Sequence, residues 1–292
     1  MSPQMSPHMN SRSNSLRVRD ILVKSDDSGK DGQRIRRMFA GIARTYDLLN
    51  HLLSLNADRR WRRKAVRLLD PQPGERILDL CTGTADLALG IHGESARRGG
   101  ANADAAATSR GCIIGTDFCL EMLRLGERKL SRGRDPRGDP RPVVLAAADS
   151  LRLPFPDRTF DAVAVGFGVR NFAGLRLGLG EMLRVLRPGG RAVILEFTTP
   201  PSPWFRALFG FYFHRVLPRI GRAIAAARDP EAREAYSYLP ASVSSFPDAE
   251  GLRAWMGEAG FSSVGYRLLS LGIAAIHWGG RPKEPSVGAV SG

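Results

Sequence analysis

From Pro71 onward the chain alternates short, β-branched apolar runs with stretches of helical periodicity, the pattern of a parallel sheet covered by helices. Five strands can be placed in order: Glu75–Leu80, Cys112–Asp117, Pro142–Asp149, Phe160–Phe167 and Gly190–Phe197. SVGYRLL and GIAAIHWG form a closing pair, so the expectation is a doubly wound, mainly parallel sheet of seven strands. Helices are expected at Asp86–His92, Cys119–Leu130, Leu175–Leu186 and Asp248–Ala259, the last stopped by Gly260 as a left-handed cap. Gly93–Gly111 and Ser131–Pro142 are small, polar or Gly/Pro-rich and read as surface loops. Upstream, residues 31–70 carry helical periodicity through Ile35, Met38, Phe39, Ile42, Trp61, Ala65, Leu68 and Leu69, read as a helical cap over the carboxyl edge of the sheet. The domain spans 31–282, with a polar, Ser-rich leader before it (1–30) and a tail after it (283–292), both expected to be disordered.

With 292 residues, one α/β domain with insertions is expected. No apolar run approaches the ~18 residues of a membrane-spanning helix, and the first thirty residues lack the apolar region of a secretory signal. The spacing of Cys81, Cys112 and Cys119 fits neither a disulfide framework nor a zinc site. A cytoplasmic location follows as the expectation. The net charge of +14 comes almost wholly from Arg, with Lys only at Lys24, Lys30, Lys64, Lys129 and Lys283. Such a charge suits nucleic acid or an anionic membrane as partner, and is equally what base-composition bias produces.

The segment ILDLCTGTADLA carries the most information, because a buried strand holding Asp79 runs through a Thr-Gly-Thr turn into a helix. In open α/β sheets ligands bind outside the carboxyl ends of the strands, and Gly83 lets a ligand approach the backbone there. The second strand ends in Asp117, placed to accept both hydroxyls of a ribose, or simply to cap the next helix. The third ends in Asp149-Ser150, where a carboxylate suits the exocyclic amine of an adenine. Three polar strand ends in succession point to a nucleoside-bearing cofactor.

The order LDLCTGTADLA, GTDFCLEML, AAADSLRLPFPDRTFDAV and RVLRPGGRAVILEF resembles the class I S-adenosylmethionine methyltransferases, with their Rossmann-like fold. YDLLNHLLSLNADRRW, GFGVRN, FYFHRVLPRIG and the ending GIAAIHWG are similar to the ubiquinone/menaquinone biosynthesis C-methyltransferase family, over about Gln33 to Pro282. Three positions depart from the common pattern: Asp58 stands where His is frequent, Thr198 where Ser is, and Ala85 where many methyltransferases carry Gly. CTGTAD and Gly166 resemble the menaquinone branch. The resemblance implies S-adenosyl-L-methionine as cofactor, contacted by Thr84, Asp117 and the Asp149-Ser150 pair, with Asp79 and Gly83 in the same turn, and no metal.

It further implies a prenylated quinol as acceptor, demethylmenaquinol first. A ring carbon of a quinol becomes nucleophilic when the neighbouring hydroxyl loses its proton, and a phenol of pKa ~10 needs help to do so at neutral pH. Arg170 and Asn171 follow the fourth strand, where acceptor-handling residues sit. Arg170 cannot serve as a base, so it is expected to stabilise the phenolate, with an ion pair to a nearby acid as the alternative. Asn171 would orient the acceptor, and Tyr46 either touches it or packs. His214 and His277 read as structural, and Glu196 as substrate-facing or as a buried structural carboxylate. The aromatic, Arg-bearing stretch from Pro200 within the lid segment 200–240 reads as an interfacial helix at the inner face of the membrane, as a buried lid, or both. A homodimer is left open. A nucleic-acid methyltransferase using the basic surface is the enzymatic alternative; GFGVRN stands where base-amine methyltransferases carry an Asn/Asp-Pro-Pro-aromatic clamp, and no cysteine sits in a comparable loop to methylate a pyrimidine carbon, which argue against nucleic acid as the substrate. A scaffold that merely keeps the fold would need a degraded cofactor turn.

Overall fold

Strands β1 (Arg76–Leu80) and β4 (Phe160–Gly166) are buried along nearly their whole length, and their alternate side chains feed two separate cores. The computed structural model describes residues 56–99, 111–132, 143–212 and 242–284, with positions 36, 37, 40, 41, 54, 215, 219 and 238. Beside β1 and β4 lie β2 (Cys112–Asp117), β3 (Val143–Ala147), β5 (Leu186–Phe197), β6 (Ser262–Leu269) and β7 (Ala274–Gly280). Their order is β3-β2-β1-β4-β5-β7-β6, parallel as far as β5, with β7 antiparallel to both its neighbours. The chain starts in the middle at β1, winds out to β3, then crosses to β4 on the other side. The loops after β1 and β4 therefore diverge and open a crevice at the carboxyl edge.

On one face Ile77, Ala162, Ala164, Val193 and Leu195 pack against Trp61, Ala65 and Leu69 of α1 (Ala57–Leu69) and Leu87, Ala88 and Ile91 of α2 (Asp86–Gly99). On the other, Leu78, Leu80, Val163, Val165 and Ile194 meet Leu179 and Met182 of α4 (Leu175–Val185) and Leu252 and Met256 of α6 (Ala249–Glu258). Between them in sequence come α3 (Leu120–Arg132) and α5 (Pro203–Phe211).

The expected strands and helices are present, with three corrections. Gly93–Gly99 is helical, not loop: Glu94 pairs with both Arg97 and Arg98 one turn on, which carries α2 to Gly99. β5 begins at Leu186 and not Gly190, since Leu186 already pairs with Phe160 before a bulge at which Gly189 takes φ +78°. α1 does not cap the carboxyl edge. It lies on the sheet face antiparallel to β5, with Trp61 against Phe197 at one end and the Arg191 guanidinium bonded to the carbonyls of Leu69 and Asp70 at the other. Only its first turn reaches the carboxyl ends of the strands; most of 31–55, the leader and the last eight residues lie outside the described residues. The Gly260 cap is as expected: Gly260 has φ +100°, and Phe261 N–H donates to Met256 O at 3.1 Å, closing a Schellman turn.

Candidate active site

The turn from β1 into α2 has left-handed backbone at every second residue: Cys81 at φ 51°, Gly83 at 55° and Ala85 at 68°. Only glycine adopts this region at no steric cost, which explains why many methyltransferases carry Gly where Ala85 stands. The turn is held from several sides. Thr82 Oγ1 donates to Asp79 Oδ2 at 2.6 Å, and Gly83 N–H donates to Asp117 Oδ2 at 2.9 Å. The other oxygen of Asp117 accepts from Cys119 N–H at 2.9 Å, so Asp117 shapes the start of α3 as well as facing the turn.

Both carboxylates are buried. Burial pushes Asp79 up to about 7 and Asp117 up to about 6. Asp79 Oδ1 is buried with no hydrogen bond among the described residues, which leaves one acceptor for a donor brought by a ligand. Ser150 Oγ lies 3.6 Å from Cys81 Sγ, against the same turn, while Asp149 stands exposed beyond the end of β3 and bonds Leu151 N–H. An ammonium at Asp79, ribose hydroxyls at Asp117 and an adenine edge at Asp149-Ser150 fit this donor and acceptor set. Thr84 is buried, and its hydroxyl accepts from Lys129 Nζ at 2.7 Å.

The loop after β4 forms the opposite wall. Gly168 sits so close to the cofactor turn that a Cβ there would overlap Cys81 Cβ and come within 2.9 Å of its Sγ. Two residues on, Arg170 Nη1 donates to Glu196 Oε1 at 2.6 Å and to Phe167 O at 2.8 Å, and Arg170 N–H reaches Glu196 Oε2 at 3.3 Å. The side chains are 3% and 1% exposed. The ion-pair alternative is thus the one realised: Arg170 is not a bare cation, because Glu196 matches its charge and grips its backbone. Asn171 Oδ1 accepts from the Tyr238 hydroxyl at 3.0 Å, and most of the expected lid segment around Tyr238 lies outside the described residues.

Beneath both walls Trp61, Phe167 and Phe197 form an aromatic cluster, with Phe167 and Phe197 4.9 Å apart. Arg170 lies over Phe197 and Arg62 over Phe167, each 5.4 Å from the ring centre. Arg62 is anchored by buried Asp58, which also accepts from Ser54 Oγ at 2.7 Å, so the acid in the common His position has its own partner. His277 is structural as read: its Nε2 donates to Ala249 O at 2.8 Å, and burial lowers its pKa. Tyr46 and His214 lie outside the described residues. Sequence reasoning missed Thr82, Lys129, Tyr238 and the Asp58–Arg62 pair. Thr82 was within reach, three residues past Asp79 in a turn already singled out; the others are joined to the site only by the fold.

The model of the ubiE/COQ5 methyltransferase family matches residues 27–281. The chain belongs to the ubiE/COQ5 methyltransferase family. A demethylmenaquinone methyltransferase of Thermus thermophilus is 48% identical over 84% of this chain and 100% of its own length. The ubiquinone/menaquinone biosynthesis C-methyltransferase UbiE of Geobacter sulfurreducens is 44% identical over 85% and 88%. A solved S-adenosylmethionine-dependent methyltransferase from Thermotoga maritima shares the fold, with a TM-score of 0.55 at 15% identity, covering 84% of this chain and 98% of the other. The enzyme is accordingly a Rossmann-like, S-adenosylmethionine-dependent methyltransferase.

Proposed function

We propose that the enzyme transfers a methyl group from S-adenosylmethionine to a ring carbon of a prenylated quinol, demethylmenaquinol first. The observation that carries this reading is the two-walled crevice, with Asp79, Asp117 and Ser150 around the β1 turn and the buried Arg170–Glu196 pair on the wall that touches it. Bound there, the sulfonium supplies an electrophilic methyl, and the protein's work is alignment and activation of the acceptor. Glu196 fixes Arg170 on this wall, and the pair as a whole, not a free cation, would steady the phenolate; the hydroxyl proton would pass to water, since a guanidinium cannot accept it. Asn171, held by Tyr238, orients the ring. The names of the relatives support the quinol, and CTGTAD with Gly166 supports the menaquinone branch.

Asp79 makes cofactor binding depend on pH. An ammonium pairs only with its ionised form, and burial holds the carboxyl at about 7. Cofactor affinity is therefore expected to rise several-fold between about pH 6 and about pH 7.5, as measured by calorimetry. In the ligand-free protein the sign is opposite. The folded-state value lies above the ordinary 3.8, so this group's stabilisation is fully present below about 3.8 and is lost as pH rises through about 7. Asp79→Asn should flatten both slopes; an unchanged affinity slope in that variant removes Asp79 from the cofactor.

We also place the enzyme peripherally at the inner face of the cytoplasmic membrane. No residue of α5 is buried, and Trp204, Leu208 and Phe211, spaced along one face, are 69%, 55% and 60% exposed. Such a face suits lipid, where the prenyl tail resides. No helix among the described residues is long and apolar enough to cross a membrane. One assay tests acceptor and surface together, by mass analysis of demethylmenaquinol presented in anionic vesicles or dispersed in detergent. Methylation of the quinol is expected in both. Trp204→Ala/Leu208→Ala should raise the Michaelis constant roughly tenfold in vesicles only. No methylation would sink the acceptor assignment; equal kinetics of the two proteins in vesicles would sink the membrane face.

A further inference from the structure

Lys129 lies on α3, outside the crevice walls described above, yet it reaches the cofactor turn at its most strained point. Its Nζ donates to Thr84 Oγ1 and to Asp86 Oδ1, both at 2.7 Å. These are the residues on either side of Ala85, whose φ of 68° is one that an alanine rarely adopts. One turn earlier on the same helix, Gly126 brings the backbone against this spot; a Cβ there would stand 3.4 Å from Ala85 Cβ and from Thr84 C. The second oxygen of Asp86 faces Arg62 at 4.0 Å, and Arg62 is itself held by Asp58. Ala85 is therefore bracketed by a bridge that fixes the peptides before and after it, with the bridge anchored at both ends.

The same turn carries the Gly83 N–H bonded to Asp117 and the Thr82 hydroxyl bonded to Asp79. A relaxation at Ala85 moves both groups on which the ribose and the ammonium depend. We infer that Lys129 is a positioning residue for the cofactor: by bridging Thr84 and Asp86 it holds Ala85 in the left-handed conformation and so keeps Gly83 and Thr82 where Asp117 and Asp79 are ready to bind. The inference rests on the cofactor placement proposed above. It assigns Lys129 no contact with the ligand. It also accounts for how this chain does without the glycine common at position 85: the bridge supplies what backbone freedom supplies elsewhere.

The test is a rescue. Wild type, Lys129→Met, Ala85→Gly and Lys129→Met/Ala85→Gly are titrated with S-adenosylhomocysteine by calorimetry, and thermal unfolding of each ligand-free protein is recorded. Lys129→Met is expected to weaken binding about tenfold, roughly 1.4 kcal/mol, with the Michaelis constant for quinol unchanged. Ala85→Gly alone should bind within about threefold of wild type, and in the double variant glycine should restore most of the lost affinity, since it adopts φ +68° without a bridge. A structural role alone gives the opposite pattern, a loss of thermal stability in Lys129→Met that Ala85→Gly does not repair and affinity that stays at the wild-type level. Affinity unchanged in Lys129→Met, or equally weak in the double variant, overturns the inference. Should Lys129→Met fail to fold, Lys129→Ala, which also removes the bridge, is carried through the same cycle with the same criteria. Asp117→Ala separates the two levels: a loss there with none at Lys129 keeps the cofactor placement and removes the bridge, and no loss at Asp117 removes the placement itself.

Discussion

Glu196→Gln is expected to lower turnover about 100-fold while leaving cofactor affinity within about twofold of wild type. The substitution keeps the shape and one oxygen, which can still accept from Phe197 N–H and Arg170 Nη1, while the amide nitrogen replaces the oxygen that faces Arg170 N–H, and the charge that Arg170 Nη1 meets at 2.6 Å is removed. With both side chains buried, the guanidinium loses its charge-assisted bond to Glu196 where water cannot replace it. Breaking such a pair from one side costs about 3 to 5 kcal/mol, so a fall in thermal stability is expected with the fall in rate. The two effects can be parted. In Glu196→Gln/Arg170→Met the buried guanidinium is gone and an apolar chain lies against Phe197, so most of the stability should return while turnover stays low. If turnover returns with stability, Arg170 and Glu196 are a structural pair and the phenolate is stabilised by other groups. If Glu196→Gln raises only the Michaelis constant for quinol, the pair binds the acceptor without serving the transition state.

The sheet was legible because its signal is local and repeated. β1, β4 and β5 are apolar runs between turn residues, and their ends at Leu80, Gly166 and Phe197 lie within a residue of where the pattern stops. Helix lengths were less legible: α2 runs on past a glycine-containing stretch because Glu94 finds two arginines, an interaction composition alone does not reveal. Among site residues, those at strand ends could be read from the fold's logic, since Asp79, Asp117 and Ser150 come together wherever β1, β2 and β3 are adjacent and parallel. What the sequence withheld is pairing between distant segments. An ion pair is one of two readings of Arg170 in the sequence, and which acid makes it emerges only when β5 places Glu196 beside it, 26 residues on. Asn171 gains Tyr238 across 67 residues, and Thr84 gains Lys129 across 45. The orientation of α1 was misread for a related reason. Its apolar stripe states that one face is buried, and both a sheet face and a sheet edge satisfy that.

Gly168→Ala is expected to weaken cofactor binding on the order of 30-fold and to lower turnover at least as much, because it drives the two walls of the crevice apart. The added methyl would overlap Cys81 Cβ, lie 2.9 Å from its Sγ and stand 3.2 Å from Val165 Cγ1. None of these neighbours can easily yield. Val165 is in the middle of the buried sheet, and Cys81 is already at φ 51° with Gly83 and Ala85 similarly constrained behind it. Overpacking of this kind costs about 1 to 3 kcal/mol, which a domain of this size survives, so the variant should fold with a lowered midpoint. Its defect should be curable from the opposite wall. Cys81→Gly removes the Cβ and sulfur that clash and places glycine in a backbone region it adopts freely, so Gly168→Ala/Cys81→Gly should recover most of the affinity. The four proteins are compared by calorimetry with S-adenosylhomocysteine and by thermal unfolding. Recovery of stability without affinity would mean that Cys81 matters only as packing. Wild-type affinity in Gly168→Ala itself would mean that the contact between the β1 turn and the β4 loop does not fix the cofactor site.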